Sequence, residues 1–183
     1  MKESEFFCRL AIESDVASIA ELMMLSIEIN MREFLSPEQI EANKESMGVD
    51  LMLIEDGTYF VIEAIEAERK LMVGCGGWSK RRTLFGGNHT KGRDDSFSDP
   101  IKEPARIRAM YTHPDWIRKG VGSLVMSLGE EAAKNLGFKK CELMATQSGI
   151  LLYETQGYQP IENILYKTKS GKTVPMVRME KEI

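Results

Sequence analysis

The sequence predicts a single α/β domain over residues 1–183, with a mixed, mostly antiparallel sheet of six to seven strands flanked by about four helices. Three observations predict this fold class. Two adjacent strand-like runs over 59–78 predict an antiparallel hairpin. In the second half, strand-like runs alternate with helical patterns, which predicts some parallel pairing. The 183 residues, 43% of them hydrophobic, can bury one substantial core, and no repeat or linker divides them.

The chain begins with a predicted strand and a predicted helix. "FFCRLAI" at 6–12 is a short, partly apolar run bounded by charge, which is typical of a strand. From Val16 to Ile27, apolar residues recur at helical spacing, so we expect a helix over about 14–29.

"SPEQ" at 36–39 predicts the start of a second helix. Ser36 can cap the helix, Pro37 suits its first turn, and the Gln39 side chain can reach back to the cap. We expect this helix to continue to about Met47.

The predicted hairpin consists of "YFVIEAI" (59–65) and "KLMVGCGGW" (70–78), joined by the turn "EAER". Gly74, Gly76 and Gly77 weaken the second strand, and glycines inside a strand often mark a bulge or a close neighbour.

Residues 80–103, which follow the hairpin, show no periodicity of apolar residues. A loop of that length is usually functional or disordered, and we expect it to act as a lid.

The second half predicts two strand-and-helix units in succession, followed by two strands. Gly137 is expected to end the long amphipathic helix and Gly157 the short one, for which Ser148 is a candidate cap. The predicted elements are strand 106–112, helix 120–136, strand 140–146, short helix 148–157, and strands 158–163 and 173–182.

The stretch "HPDWIRKGVGSLVM" (113–126) places Gly120 and Gly122 among cations at a helix start. Free N–H groups and the helix dipole favour an anion at that point, and the glycines permit close approach. This pattern predicts a diphosphate cradle. The alternative is a strand-to-helix connection that merely contains glycines. A dinucleotide-binding G-x-G-x-x-G is excluded because residue 125 is Val, and no phosphate-binding loop of the NTPase type is present.

Composition excludes several classes of function. The net charge of −4 offers no basis for nucleic-acid binding. No apolar run is long enough for a bilayer or a signal peptide, so we expect a cytoplasmic protein without a membrane partner. The three cysteines, Cys8, Cys75 and Cys141, form no CxxC pair and are expected to be buried, reduced thiols. With only two histidines, no metal site is expected.

The segments "RIRAMYT", "HPDWIRKGVG", "CELMAT" and "LLYETQGYQP", in this order, resemble the GNAT superfamily of acyl-CoA-dependent N-acyltransferases. The resemblance is centred on 106–160. The family signature [Q/R]-x-x-G-x-[G/A] is matched by Gly120 and Gly122, while Ile117 replaces its Gln or Arg. Thr146 stands where many members have Asn.

The resemblance implies acetyl-CoA as cosubstrate, inserted beside a bulged strand that splays from the next parallel strand. The Met110 N–H would stabilise the developing oxyanion, and the Thr112 N–H would pair with pantetheine. Tyr153 would donate a proton to the departing thiolate; the alternative is that it only packs on the core. The implied cofactor-binding residues are Met110, Tyr111, Thr112, Ile117, Arg118, Lys119, Gly120, Val121, Gly122 and Ser123.

No general base is identified from the sequence. Glu103 and a base acting through ordered water are both candidates, whereas His113 is expected to be structural. His89 lies in the 80–103 loop, with nothing that ties it to the acceptor. Cys75 has no visible activating partner, which favours a structural thiol over an acyl-enzyme nucleophile.

The sequence therefore predicts an enzyme that transfers acetyl from acetyl-CoA to a primary amine, of a small molecule or a peptide, by direct attack in a ternary complex. Dimers are common in the family that the chain resembles. The alternative is a non-catalytic acyl-CoA-binding module that senses or regulates.

Overall fold

In the computed structural model, which describes residues 6–45 and 47–183, seven strands form one sheet. They are β1 Phe6–Leu10, β2 Tyr59–Glu66, β3 Arg69–Ser79, β4 Ala105–Thr112, β5 Lys140–Thr146, β6 Gln159–Lys167 and β7 Thr173–Glu182. Their order in the sheet is β1-β2-β3-β4-β5-β7-β6. Only β4 and β5 are parallel among these neighbours, so the predicted mixed, mostly antiparallel sheet is confirmed.

Five α-helices accompany the sheet in the described part of the chain, one more than predicted. They are α1 Val16–Asn30, α2 Pro37–Lys44, α3 Leu51–Glu55, α4 Val121–Asn135 and α5 Ile150–Thr155. The additional helix is α3. Its five residues are too few to show a helical period in the sequence.

Local sequence signals account well for several boundaries. Ser36 Oγ accepts from Gln39 N at 3.3 Å, and Gln39 Oε1 accepts from Ser36 N at 3.1 Å, which confirms the predicted capping box. The glycines after α4 and α5 have φ of +90° at Gly137 and +89° at Gly157, a conformation that glycine adopts readily. The predicted hairpin is β2 and β3.

Other boundaries differ from the prediction. β1 ends at Leu10 rather than Ile12, because Ile12 N donates instead to the Asp15 carboxylate at 2.8 Å. α2 ends at Lys44 rather than near Met47; residue 46 lies outside the described residues.

Two predictions near the C-terminus were also wrong. Ser148 does not cap α5: its hydroxyl lies 3.2 Å from Thr146 Oγ1, and the helix begins after Gly149 without a side-chain cap. The sixth strand continues to Lys167 instead of ending at residue 163.

Helices cover both faces of the sheet. Met126 and Ala133 of α4 pack in one buried cluster with Ile107 and Leu143 of the central strands. On the other face, a second cluster joins Ile19 and Leu22 of α1 to Val61 of β2 and Cys75 of β3. β1 lies at the edge of the sheet, and its Cys8 is exposed, so the prediction that all three cysteines are buried was wrong for this one.

The long segment between β3 and β4 is held to the rest of the protein. The backbone of Arg81 forms an isolated antiparallel β-bridge with Phe97, and its side chain forms an ion pair with Asp56 at 2.7 Å. Ser98 N donates to the Lys80 carbonyl at 2.8 Å. The 80–103 loop is thus an ordered part of the fold, and its action as a lid stays a prediction. Within the described residues, no helix has the length and apolar character that crossing a membrane requires.

Candidate active site

The parallel pair at the centre of the sheet is joined at one end only. Ala105 and Arg106 of β4 pair with Cys141 and Glu142 of β5, and no later position of these two described strands pairs. The strands therefore separate toward their carboxyl ends. Unpaired backbone N–H and C=O groups of a strand can pair with an extended ligand.

β4 has one extra residue at the point where it separates. The register with β3 shifts between Cys75 and Gly77, where Gly76 alone faces Ala109 and Met110. Ala109 has a φ of +53°, which is uncommon for a residue other than glycine. A Cβ at residue 76 would lie only 3.0 Å from the Met110 Cα, so a glycine is needed opposite this bulge.

A buried tyrosine holds the bulge in place. Tyr59 Oη donates to the Ala109 carbonyl at 2.6 Å. Since the C=O and N–H of one trans peptide point in opposite directions, this bond also sets the direction of the Met110 N–H. Burial raises the pKa of Tyr59 well above its ordinary value, so the hydroxyl keeps the proton that it donates.

Cys75 lies beside this tyrosine, with its Sγ 3.3 Å from Tyr59 Oη. Burial raises the pKa of the Cys75 thiol to about 12. A thiol with such a pKa is not ionised near neutral pH and is a poor nucleophile. The structure therefore favours the structural interpretation of this cysteine.

The start of α4 has N–H groups that form no hydrogen bond within the helix. Gly120 and Arg118 have φ of +88° and +61°, and the exposed segment 117–120 leads into the helix. The bond from Leu124 N to the Gly120 carbonyl, 3.0 Å long, opens the helical ladder. The N–H groups of 121–123 therefore have no acceptor within the helix, which suits an anion.

The two glycines of this segment meet different constraints. Gly120 requires its positive φ, and a Cβ there would face open space. A Cβ at Gly122 would lie 2.7 Å from Cδ2 of Leu152 in α5. Gly122 thus serves contact between two helices, whereas the sequence argument had assigned both glycines to ligand approach.

Tyr153 is held on α5 by its neighbours. A Cβ at Gly149 would lie 2.6 Å from Tyr153 Cε2, so the ring rests directly on that glycine. The ring also makes an edge contact with Tyr158, with centroids 6.3 Å apart. Burial raises the pKa of Tyr153 to about 12, so its hydroxyl is protonated near neutral pH.

A cavity of about 90 Å³ lies where these features meet. Its walls are residues 107–111 of β4, the end of β5, Tyr153, residues 84–86 of the long loop, and Met47 with Gly48. Of the predicted site residues, the cavity brings together Met110, Tyr111 and Tyr153. Residues 117–123 do not line it and lie instead at the start of α4.

None of the titratable candidates for a general base lines this cavity. Glu103 accepts two hydrogen bonds from Arg82, which lowers the pKa of the Glu103 carboxyl to about 2. His89 Nε2 lies 2.9 Å from the Glu45 carbonyl, and His113 Nδ1 accepts from the backbone of the following turn. No acid or histidine occurs among the described lining residues.

Three residues of this region were not singled out from the sequence. Arg108 lines the cavity and pairs with Asp50 at 2.6 Å, and Tyr59 holds the bulge. The alternation Arg-Ile-Arg in "RIRAMYT" was a usable signal, because it places two charges on one face of a predicted buried strand. Nothing near Tyr59 in the sequence indicates its partner.

Residues 55–160 match the family model described as the acetyltransferase (GNAT) domain. A search of curated proteins gives no significant match.

Solved structures share the fold at low sequence identity. A GCN5-related N-acetyltransferase from Rhodopseudomonas palustris has a TM-score of 0.70 at 19% identity, covering 100% of this chain and 99% of its own. The PaiA N-acetyltransferase from Thermoplasma acidophilum, in complex with coenzyme A, has a TM-score of 0.61 at 14% identity, with coverage of 98% and 99%. A putative acetyltransferase from Salmonella typhimurium, with its cofactor acetyl-CoA, has a TM-score of 0.60 at 16% identity, with coverage of 97% and 93%. Because the family model spans more than half of the chain and the sheet has the architecture of these structures, the chain belongs to the GNAT acetyltransferase family.

Proposed function

We propose that this protein transfers an acetyl group from acetyl-CoA to a primary amine by direct attack of the amine in a ternary complex. One observation carries the proposal: the bulge of β4, the open end of the β4–β5 pair and the Tyr153 phenol all border one cavity. Coenzyme A or acetyl-CoA accompanies two of the similar structures, which supports this choice of cosubstrate.

The start of α4 fits the diphosphate of coenzyme A. The free N–H groups of 121–123 and the open space around Gly120 provide donors without obstruction. Arg118 and Lys119 are exposed beside them and add positive charge. Residues 117–123 would therefore hold the diphosphate, while the backbone of Tyr111 and Thr112 would pair with pantetheine.

The bulge fits the reacting end of the thioester. Ala109 and Met110 lie outside the pairing registers of both neighbouring strands, so the Met110 N–H is a candidate oxyanion donor. A donor held in place before the reaction stabilises negative charge as it develops, without reorganisation. Tyr59 supplies that rigidity through the Ala109 carbonyl.

Tyr153 is the proposed acid. It lines the cavity, and its raised pKa keeps the phenol protonated until a thiolate forms nearby. The described lining holds no carboxylate or imidazole to act as base. The proton of the amine is therefore expected to pass to water, and the positive charge of Arg108 would favour the neutral amine.

Two measurements test the proposal. Addition of about 1 mM acetyl-CoA should raise the melting temperature by roughly 5 to 10 °C, if that concentration is about 100 times Kd. Tyr153→Phe should lower turnover by about 10²-fold while this thermal shift persists. Tyr158→Phe is the matched control, because it removes a neighbouring phenol that does not line the cavity.

Each failure has a distinct meaning. Absence of a thermal shift would overturn the assignment of acetyl-CoA as the cosubstrate. A normal shift without acetylation of any amine in a broad panel would favour the non-catalytic acyl-CoA-binding module. Full activity of Tyr153→Phe would remove Tyr153 from the mechanism and leave the reaction in place.

A further inference from the structure

A buried cluster of charges lies against the cavity. Arg108 Nη1 is 2.6 Å from Asp50 Oδ2, and the two side chains are 2% and 0% exposed. Arg93 also binds Asp50, at 3.1 Å, and is 10% exposed. Arg93 then reaches outward to Asp95, which is 39% exposed. Of these four residues, Arg108 alone lines the cavity.

Arg108 has one donor without a partner. Its Nη1 binds Asp50 and its Nη2 donates to the Gly86 carbonyl at 2.5 Å. Its Nε is buried and has no hydrogen-bond partner among the described residues. A buried N–H of a charged group without an acceptor lowers the stability of the folded protein. Such N–H groups normally have an acceptor in the protein, in a water molecule or in a ligand.

The buried members of the cluster also carry excess positive charge. Two guanidinium groups share the one buried carboxylate of Asp50, while the exposed Asp95 is screened by water. A neutral hydrogen-bond acceptor would bind Arg108 Nε–H and leave the excess positive charge uncompensated. A carboxylate would accept the hydrogen bond and also compensate the charge. Hydrogen bonds from a guanidinium to a carboxylate are among the strong ones in proteins.

The rest of the lining leaves room for a small group beside both apolar and polar walls. Phe85, Leu143 and Met144 contribute apolar walls. A cavity of 150 Å³ can hold benzene, so the roughly 90 Å³ found here admits only the reacting end of an acceptor.

From these observations we infer that the acceptor is an amine that also carries a carboxylate, of the amino-acid type, and that Arg108 Nε–H binds this carboxylate. The inference rests on the proposed acetyl transfer and adds the chemical class of the acceptor. Arg108 acts here as a specificity residue, since it would bind the carboxylate of the acceptor and not the reacting amine.

The test compares acceptors that differ only in the carboxylate. L-phenylalanine with phenethylamine, and L-leucine with isopentylamine, are two such pairs. Wild-type kcat/KM should favour the amino acid of at least one pair by about 10- to 100-fold, the range expected for a hydrogen bond to a charged group. Calorimetric binding of the same compounds to the protein with coenzyme A gives a readout that does not depend on turnover.

Arg108→Lys should abolish this preference, because lysine keeps a cation beside Asp50 but brings no Nε–H and no planar fork. Arg93→Lys is the matched control: it alters the same Asp50 pair outside the cavity and should keep the preference. Melting temperatures show whether either variant is folded.

The outcomes separate this inference from the proposed function. Equal use and equal binding of both members of each pair by the wild-type protein would overturn the inference, as would an unchanged preference in Arg108→Lys. Should acetyl-CoA fail to bind, the proposed function falls, and calorimetry without coenzyme A still decides whether Arg108 selects a carboxylate.

Discussion

The closed end of the β4–β5 pair and the point where the two strands separate use the same chemistry for different purposes. Arg106 and Arg108 lie two positions apart on one strand, and each pairs with a buried carboxylate that a second arginine also binds. At the first end, Glu142 joins Arg106 to Arg178. Arg106 Nε there donates to the Arg82 carbonyl, whereas the Nε of Arg108 has no partner among the described residues.

The difference follows from the neighbouring strand. At Arg106, β5 is paired with β4, and the guanidinium also donates to the Pro104 and Arg82 carbonyls. At Arg108, the strands have begun to separate and the bulge follows directly. An equivalent ion pair therefore lies beside paired strands at Arg106 and forms part of the cavity wall at Arg108.

The closed end should show the largest effect on stability. Glu142→Gln removes the charge between Arg106 and Arg178 and should destabilise the protein by about 3 to 5 kcal/mol, a fall of roughly 10 °C in melting temperature. Turnover of the folded variant at 25 °C should stay within about twofold of wild type, because Arg106, Glu142 and Arg178 do not line the cavity. Loss of turnover with an unchanged melting temperature would contradict the distinction between the two ends.

Removal of the shared carboxylate charge where the strands separate should lower both the stability and the activity of the protein. Asp50→Asn keeps an oxygen to cap α3 but removes the charge that anchors Arg108. We expect a loss of about 2 to 3 kcal/mol, smaller because Arg93 and Arg108 both keep carbonyl partners, whereas the described partners of Arg178 are carboxylates. The kcat/KM for the acceptor should fall by about tenfold. Thermal melting and steady-state kinetics measure the two effects. Unaltered kinetics would mean that Arg108 needs no anchor.

Tyr59→Phe tests the bulge itself. The variant loses the bond to the Ala109 carbonyl, so the Met110 N–H should be less rigidly aimed and kcat should fall by about 5- to 10-fold. The dissociation constant of acetyl-CoA should change little, since Tyr59 is not among the residues proposed to hold the diphosphate or pantetheine. A rise in that constant with unchanged kcat would instead assign Tyr59 to cofactor binding.

The smallest effect is expected in the pH profile. Because burial raises the pKa of Tyr153 to about 12, the phenol stays protonated throughout the neutral and mildly alkaline range. The logarithm of kcat/KM should rise with the fraction of neutral amine and show no descending limb below about pH 11. A descending limb near pH 10 would show that Tyr153 ionises near its ordinary pKa or that another group is the acid.

The sequence alone determined the elements whose signals are local. The capping bonds of Ser36 and Gln39, the hairpin of β2 and β3, and the glycine that ends α4 follow from periodicity, turn chemistry and allowed dihedral angles. The predicted fold class was also confirmed. The order of strand and helix patterns along the chain is one that few topologies accommodate.

Tertiary structure decided which side chains face the cavity. The bond from Tyr59 to Ala109 joins residues 50 positions apart, and the bond from Arg93 to Asp50 joins residues 43 positions apart. It also decided that Gly122 contacts Leu152. Such partners depend on how distant segments pack. The sequence around a hydrogen-bond donor therefore does not identify its acceptor. The reacting region was therefore predictable as a strand, a glycine segment and a tyrosine, whereas its charged wall and the support of its bulge exist only in the folded chain.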